Sequence, residues 1–150
     1  MKLSIVLSTQ PTHFQAVSLS GSLENNLKKI ADWGYQGVEL AIRDPKMLDV
    51  AALLKLIQSC GLEVPAIGTG QAWNEEGLSF TDPIPDVRSA AVKRIQSHIP
   101  LAAQFNAVII IGLVRGIIKP GVDQALAMAW LTEALQQCCR AARFAGVRLA

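Results

Sequence analysis

The chain has 150 residues, 51% of them hydrophobic and 17% charged, with 14 Lys and Arg against 12 Asp and Glu for a formal net charge of +2. That length is enough for one core, and so small and scattered an excess of positive charge argues against nucleic acid as a partner. The mean hydropathy of +0.31 is high for a domain with a well-covered surface, and reads as a chain that belongs inside something larger.

"KLSIVLS" (2–8) opens as a strand with a buried-type centre. After a polar loop containing Pro11, Ser22 can cap a helix, whose apolar positions Leu23, Leu27, Ile30 and Ala31 fall on one face. Gly34 stops it. "GVELAI" (37–42) is a second strand, "RDP" a turn, and "MLDVAALLKLIQSCG" a second helix closed by Gly61. "LEVPAIG" (62–68) is a third strand, with Pro65 awkward for full pairing. "TGQAWNEEGLSFTDPIPD" reads as a long polar connection. Asp86 is the expected cap of a third helix through Asn106, and Pro100 is expected to kink or break it. "AVIIIGL" (107–113) is apolar on both faces, as a covered parallel strand should be. A long helix then runs to Gly146, and "VRLA" (147–150) starts a fifth strand.

Strict β-α alternation predicts a parallel α/β sheet with right-handed crossovers. Two architectures meet that description. A flavodoxin-like doubly wound domain fits the length, but "STQPTHFQ" after the first strand offers no glycine-rich phosphate cradle. The rival is the first half of a (β/α)8 TIM barrel: four βα units plus the start of strand five.

No run approaches the roughly 20 apolar residues of a membrane span. The N-terminus has no secretory pattern. The three cysteines, Cys60, Cys138 and Cys139, make neither a disulfide framework nor a zinc spacing. A cytoplasmic location with free thiols is expected.

Barrel chemistry lies at the C-terminal ends of the strands, and four such places carry candidates. In "LSTQPTHF", Gln10 and His13 could face a ligand, though a surface histidine in a solvated loop is the plainer reading of His13. Glu39 lies inside an apolar strand, where a carboxylate needs a partner such as Arg43, a backbone amide or a ligand. In "IGTGQAWNEEG", Gly68 and Gly70 let the backbone approach something closely. Thr69, Gln71 and Asn74 offer neutral hydrogen bonds, and Trp73 a flat apolar face. That combination suits a sugar ring, with a lid as the alternative. Glu75 and Glu76 are adjacent and should diverge. Arg115 could take a carboxylate, phosphate or hydroxyl, or be a plain surface arginine. No GxSxG, P-loop or HExxH motif is present.

"LSTQPTHFQAV", "GYQGVELAIRDP", "EVPAIGTGQAWNEEGLSFTDP", "AAVKRIQSHIPLAA" and "VIIIGLVRG" together resemble the sugar phosphate isomerase/epimerase group of xylose isomerase-like TIM barrels, a superfamily that includes endonuclease IV. The resemblance implies a barrel of eight βα units. It also implies a divalent metal, Mn2+ or Mg2+, held by Glu, Asp, His and Glu from strands five to eight. Such a metal polarises a sugar carbonyl while carboxylates move a proton between adjacent carbons through an enediolate. No residue here matches a metal ligand or a catalytic residue of that group. Residues 1–150 are therefore expected to be the N-terminal half of such a domain, with no second domain, and to be inactive alone. What carries over is a substrate wall: Glu39, Thr69, Gln71, Trp73 and Arg115. The expected partner is a small sugar, with no nucleic acid and no membrane. Two alternatives stay open. One is a non-catalytic half-barrel that self-associates through open sheet edges. The other is an endonuclease IV-like repair barrel, against which stand the small charge and only two histidines.

Overall fold

The computed structural model describes residues 1–150. Its elements in chain order are β1 (Ser4–Ser8), α1 (Leu23–Asp32), β2 (Gly37–Ala41), α2 (Val50–Ser59), β3 (Ala66–Gly68), α3 (Gly70–Glu76), α4 (Pro85–Phe105), β4 (Val108–Ile110) and α5 (Gln124–Phe144). Single 3-10 turns at Pro45–Met47 and Gly112–Arg115 follow β2 and β4.

All strands are parallel, and their order in the sheet is their order in the chain, β1-β2-β3-β4. A doubly wound sheet reverses direction after its first strands and puts helices on both faces. Here right-handed crossovers that always step the same way leave α1, α2, α4 and α5 on one face. Leu7, Val38, Leu40, Ile67 and Ile109 form that face, and all are fully buried. They pack in one core with Leu27 and Ile30 of α1, Leu53 and Ile57 of α2, Ile99 and Ala102 of α4, and Ala142 of α5. The alternate residues Val6, Glu39, Ala66, Gly68, Val108 and Ile110 form the opposite, concave face and stay half-exposed. This is the arc of a (β/α)8 barrel seen from its lumen, and the doubly wound alternative does not hold.

The fifth strand is present as a parallel bridge, Ile109 to Leu149. The Ile109 amide donates to the Arg148 carbonyl at 3.0 Å, and the Ala150 amide to the Ile109 carbonyl at 2.9 Å. At the other edge the chain covers its own first strand. The Leu19 amide donates to the Val6 carbonyl at 3.1 Å, and the Ser8 amide to the Leu19 carbonyl at 2.9 Å. The upper half of the β1 edge therefore offers no template for pairing.

Three local expectations need correction. The polar connection holds a helix, α3, that the apolar pattern does not announce. Only Ala72 and Trp73 of it are apolar core contacts, and Thr69 supplies no side-chain cap. Its neighbours hold it in place instead. Helix α4 starts two residues earlier than Asp86 implied: Ile84 is the cap, Pro85 takes the first turn, and Asp86 sits within that turn, where a carboxylate suits the helix dipole. Pro100 does not break α4, which runs unbroken to Phe105. The proline is exposed, so water can take the carbonyl that loses its partner.

A second, smaller core lies between α3, α4 and α5, around Phe80, Ile95, Val114 and Cys138. Burial pushes the Cys138 thiol up to about 12 and Cys138 packs in this second core, while Cys139 beside it is exposed. No helix is long and apolar enough to cross a membrane.

Candidate functional site

The C-terminal ends of β1 to β4 converge on a cleft of about 160 Å³ lined by Glu39, Gly68, Thr69, Gly70, Phe14 and Ile110, among others. Glu39 is the one ionisable side chain in its lining. Burial, with no donor or opposing charge to offset it, pushes the Glu39 carboxyl above the ordinary glutamate value. The two glycines seen in the sequence now have their reason. A Cβ on Gly68 would lie 3.1 Å from Glu39 Oε1, and one on Gly70 would lie 2.9 Å from Cζ of Phe14. The close approach is made by the chain's own carboxylate and its own aromatic ring.

The five expected site residues do not form one cluster. Glu39 and Thr69 share the cleft. Arg115 is exposed and lines an adjoining apolar cleft of about 360 Å³ that shares Ile110 and Gly112 with the first. The Thr69 hydroxyl lies 3.0 Å from both the Ile110 and Ile111 carbonyls, so its proton is held by the sheet. Gln71 is fully buried behind the cleft. Its amide donates to Ser8 Oγ at 2.7 Å, and that hydroxyl donates to the Gln10 carbonyl at 2.5 Å. The Ser8 proton is thereby used, which fixes the orientation of the Gln71 amide and leaves its Oε1 buried without a donor. Trp73 is half-buried against the second core and is not in the cleft lining. Phe14 is in that lining and was not singled out. The Gly68–Gly70 pair was the signal that something bulky lay opposite.

Glu75 and Glu76 diverge as expected. Glu75 Oε1 accepts from the Thr12 hydroxyl at 2.7 Å and the His13 amide at 2.8 Å. Those hydrogen bonds hold its carboxyl below the ordinary value. Glu76 takes the Arg94 guanidinium in a two-pronged bond, 2.8 and 2.9 Å. Arg94 also donates to the Arg43 carbonyl at 2.6 Å and lies 3.4 Å from Asp44. Below it His98 is fully buried, with Nδ1 2.8 Å from the Arg94 carbonyl and Nε2 3.0 Å from the Ile42 carbonyl. Burial pushes His98 below its ordinary pKa, against the two carbonyls that favour its charged form. Gln10 completes the bracket by accepting from the Arg43 and Asp44 amides at 2.9 and 3.0 Å. This network fixes the loop after β2 and both ends of α3 behind the cleft. His13 contributes its backbone amide to it.

A divalent metal needs several oxygen or nitrogen donors around one point. Asp44 and Glu76 face Arg94, Glu75 is occupied by the first loop, and Asp82 is bound by Lys119 at 2.6 Å. For Asp82, burial works to raise the pKa, but Lys119 and the Ile84 amide outweigh it. Glu39 is alone in its cleft, and no group of three or more His, Cys, Asp or Glu side chains converges anywhere. The residues of this chain do not fit such a metal.

The raised Glu39 pKa has a stability consequence. The folded state holds this proton more tightly than the unfolded state, so its contribution is full below the unfolded value. It is lost as pH rises through the folded value. Glu39→Gln is therefore expected to remove a fall in stability above the unfolded glutamate value, and to leave the variant more stable than the wild type at pH 7. Denaturant melts across that pH range check this, and parallel curves for the two proteins would contradict it.

A family model for the xylose isomerase-like TIM barrel matches residues 27–150. No curated protein matches the chain. Among solved structures, the chain is similar to D-psicose 3-epimerase from Clostridium cellulolyticum H10, solved with D-tagatose, at TM-score 0.75 and 15% identity over 99% of this chain and 51% of that one. It is similar to D-allulose 3-epimerase from a Methylomonas species, solved with D-allulose, at TM-score 0.67 and 20% identity over 84% and 43%. An L-ribulose 3-epimerase gives TM-score 0.69 and 22% identity over 97% and 48%. The chain spans about half the length of the structures it matches.

Proposed function

The chain belongs to the xylose isomerase-like TIM barrel family, and from that premise we propose that it forms one wall of the sugar site of an isomerase or epimerase. The observation that carries this is Glu39: a half-buried carboxylate with a raised pKa, in a cleft at the C-terminal ends of the strands. Sugar-binding structures of the same fold support the substrate class. A carboxyl tuned in this way holds its proton to higher pH than a free glutamate. It can donate that proton to a sugar oxygen, and as the carboxylate it accepts from a hydroxyl. Phe14 offers the C–H faces of the ring an apolar wall, and Arg115 extends a cation over the adjoining cleft for a hydroxyl or phosphate. Thr69 and Gln71 act from behind by fixing the strand ends, and Trp73 by anchoring α3. On this reading the 150-residue chain binds sugar and does not turn it over, because its other nearby carboxylates are already engaged.

A second reading rests on the concave face. Val6, Ala66, Val108 and Ile110 stay half-exposed there, a row that another copy of the chain could cover.

One titration addresses both. Ketohexose added to the 15N-labelled chain is expected to shift the Phe14, Gly68, Thr69, Gly70 and Gly112 amides, and Glu39→Leu to abolish the effect. Unmoved cleft amides at saturating sugar would refute the first reading. Concentration-dependent broadening at Val6 and Val108 without sugar would favour the second.

A further inference from the structure

Helix α3 holds the loop of residues 9–22 through a single side chain. Glu75 Oε1 takes the Thr12 hydroxyl at 2.7 Å, the His13 amide at 2.8 Å and, more weakly, the Asn74 amide at 3.4 Å. The Thr12 hydroxyl in turn accepts from the Phe14 amide at 2.9 Å. Carboxylate, hydroxyl and amide thus run in one line to the backbone of Phe14. The Phe14 ring then points its Cζ–Cε1 edge at Gly70, the first residue of α3, where no Cβ intervenes. The same ring lines the cleft that holds Glu39. A helix of seven residues therefore grips the loop at its far end and receives the ring at its near end.

We propose that Glu75 is a positioning residue: acting through Thr12, it sets the Phe14 ring as the movable wall of the Glu39 cleft and so decides whether that cleft is dry or open. Glu75 touches no reacting atom. Its carboxylate forms no salt bridge; it serves as an acceptor for the loop. The alternative, that Glu75 merely decorates the surface, leaves the convergence of three donors on one oxygen without a reason. The proposal deepens the reading of the cleft as a sugar site and rests on it for its purpose.

The test uses the whole 150-residue chain and no sugar, so failure of sugar binding and failure of the latch are read separately. The Glu39 side-chain carbon is followed by NMR across pH. The wild type is expected to titrate above ordinary glutamate. Glu75→Ala should bring the Glu39 midpoint back toward the ordinary value, as should direct removal of the ring by Phe14→Ala. Exchange of the His13 and Phe14 amides should speed up on the order of tenfold in Glu75→Ala. Glu75→Gln keeps the acceptor oxygen and should restore both readouts. A Glu39 midpoint that drops in Phe14→Ala but stays put in Glu75→Ala overturns the latch, as does a midpoint unmoved by both. Failure of Glu75→Gln to rescue overturns the hydrogen-bond route. A general loss of folding would shift amides throughout both cores, and that pattern separates it from local opening.

Discussion

Gly116→Ala is expected to destabilise the protein by about 3 kcal/mol, from backbone strain and overpacking together. At this chain length that corresponds to a Tm roughly 10 °C lower. Gly116 has φ +88° and ψ 176°, a region essentially closed to residues with a Cβ. A Cβ there would also fall 2.1 Å from Ser79 Oγ and 2.2 Å from Thr81 Oγ1. Neither oxygen is free to swing away. Thr81 Oγ1 donates to the Ile117 carbonyl at 3.1 Å, Ser79 Oγ accepts the Thr81 amide at 3.2 Å, and both residues are buried. Gly121 is the internal control, with φ +83° and nothing within 4 Å of its Cβ position. Gly121→Ala should show the strain alone, about 1 kcal/mol. Equal losses at the two sites in urea melts would show that the contact with Ser79 and Thr81 is absent.

Phe80→Ala is expected to cost about 3–5 kcal/mol, the usual range for removing a buried phenylalanine. Phe80 is fully buried, among the largest side chains in the protein to be so, and centres the core between α3, α4 and α5. Its backbone amide donates to the Val114 carbonyl at 2.9 Å and ties the segment before α4 to the turn after β4, while the ring packs in the second core beside it. Phe80→Leu keeps most of the volume and should cost about 1 kcal/mol. A Phe80→Ala protein that melts within experimental error of the wild type would mean the second core is not packed as described.

These two sites show where sequence reasoning stops. The long helices were legible because burial on one side imposes a period, as at Leu23, Leu27, Ile30 and Ala31, and β4 as a short unbroken apolar run, although only Val108–Ile110 of residues 107–113 is strand and a 3-10 turn begins at Gly112. The stretch from Leu78 to Asp82 has no period. Every residue of it is buried, Ser79, Thr81 and Asp82 as well as Leu78 and Phe80. Thr81 and Asp82 find partners more than thirty residues away, in the Ile117 carbonyl and the Lys119 ammonium, while Ser79 bonds to Thr81 within the segment. A rule that reads polar composition as solvent exposure misplaces such a segment. Helix α3 escaped for the same reason: its stability comes from Arg94, Thr12 and the second core, none of them local in sequence.

The candidate site was legible in part. Glu39 stood out because a carboxylate in an apolar strand must be accounted for, and the structure leaves it unpaired in a cleft. Gly68 and Gly70 stood out as sites of close approach, but nothing nearby in sequence names Phe14 as what approaches. Gln71 and Trp73 fit a sugar by residue type. Helix α3 turns Gln71 toward Ser8 and packs Trp73 on the second core, which composition cannot foresee.

The sequential order of the strands also bears on how the chain acquires this shape. Each strand finds its only earlier neighbour one βα unit back, so no pairing waits for a distant part of the chain. Loop closure stays at one unit's length throughout, which keeps the entropic barrier to each addition small. Growth by accretion follows: β1 and β2 with α1 form a seed, and each later unit docks onto a surface already built. A nascent chain could order itself in this way as it emerges, with the self-covered edge of β1 protecting the seed from mispairing while the rest is still being made.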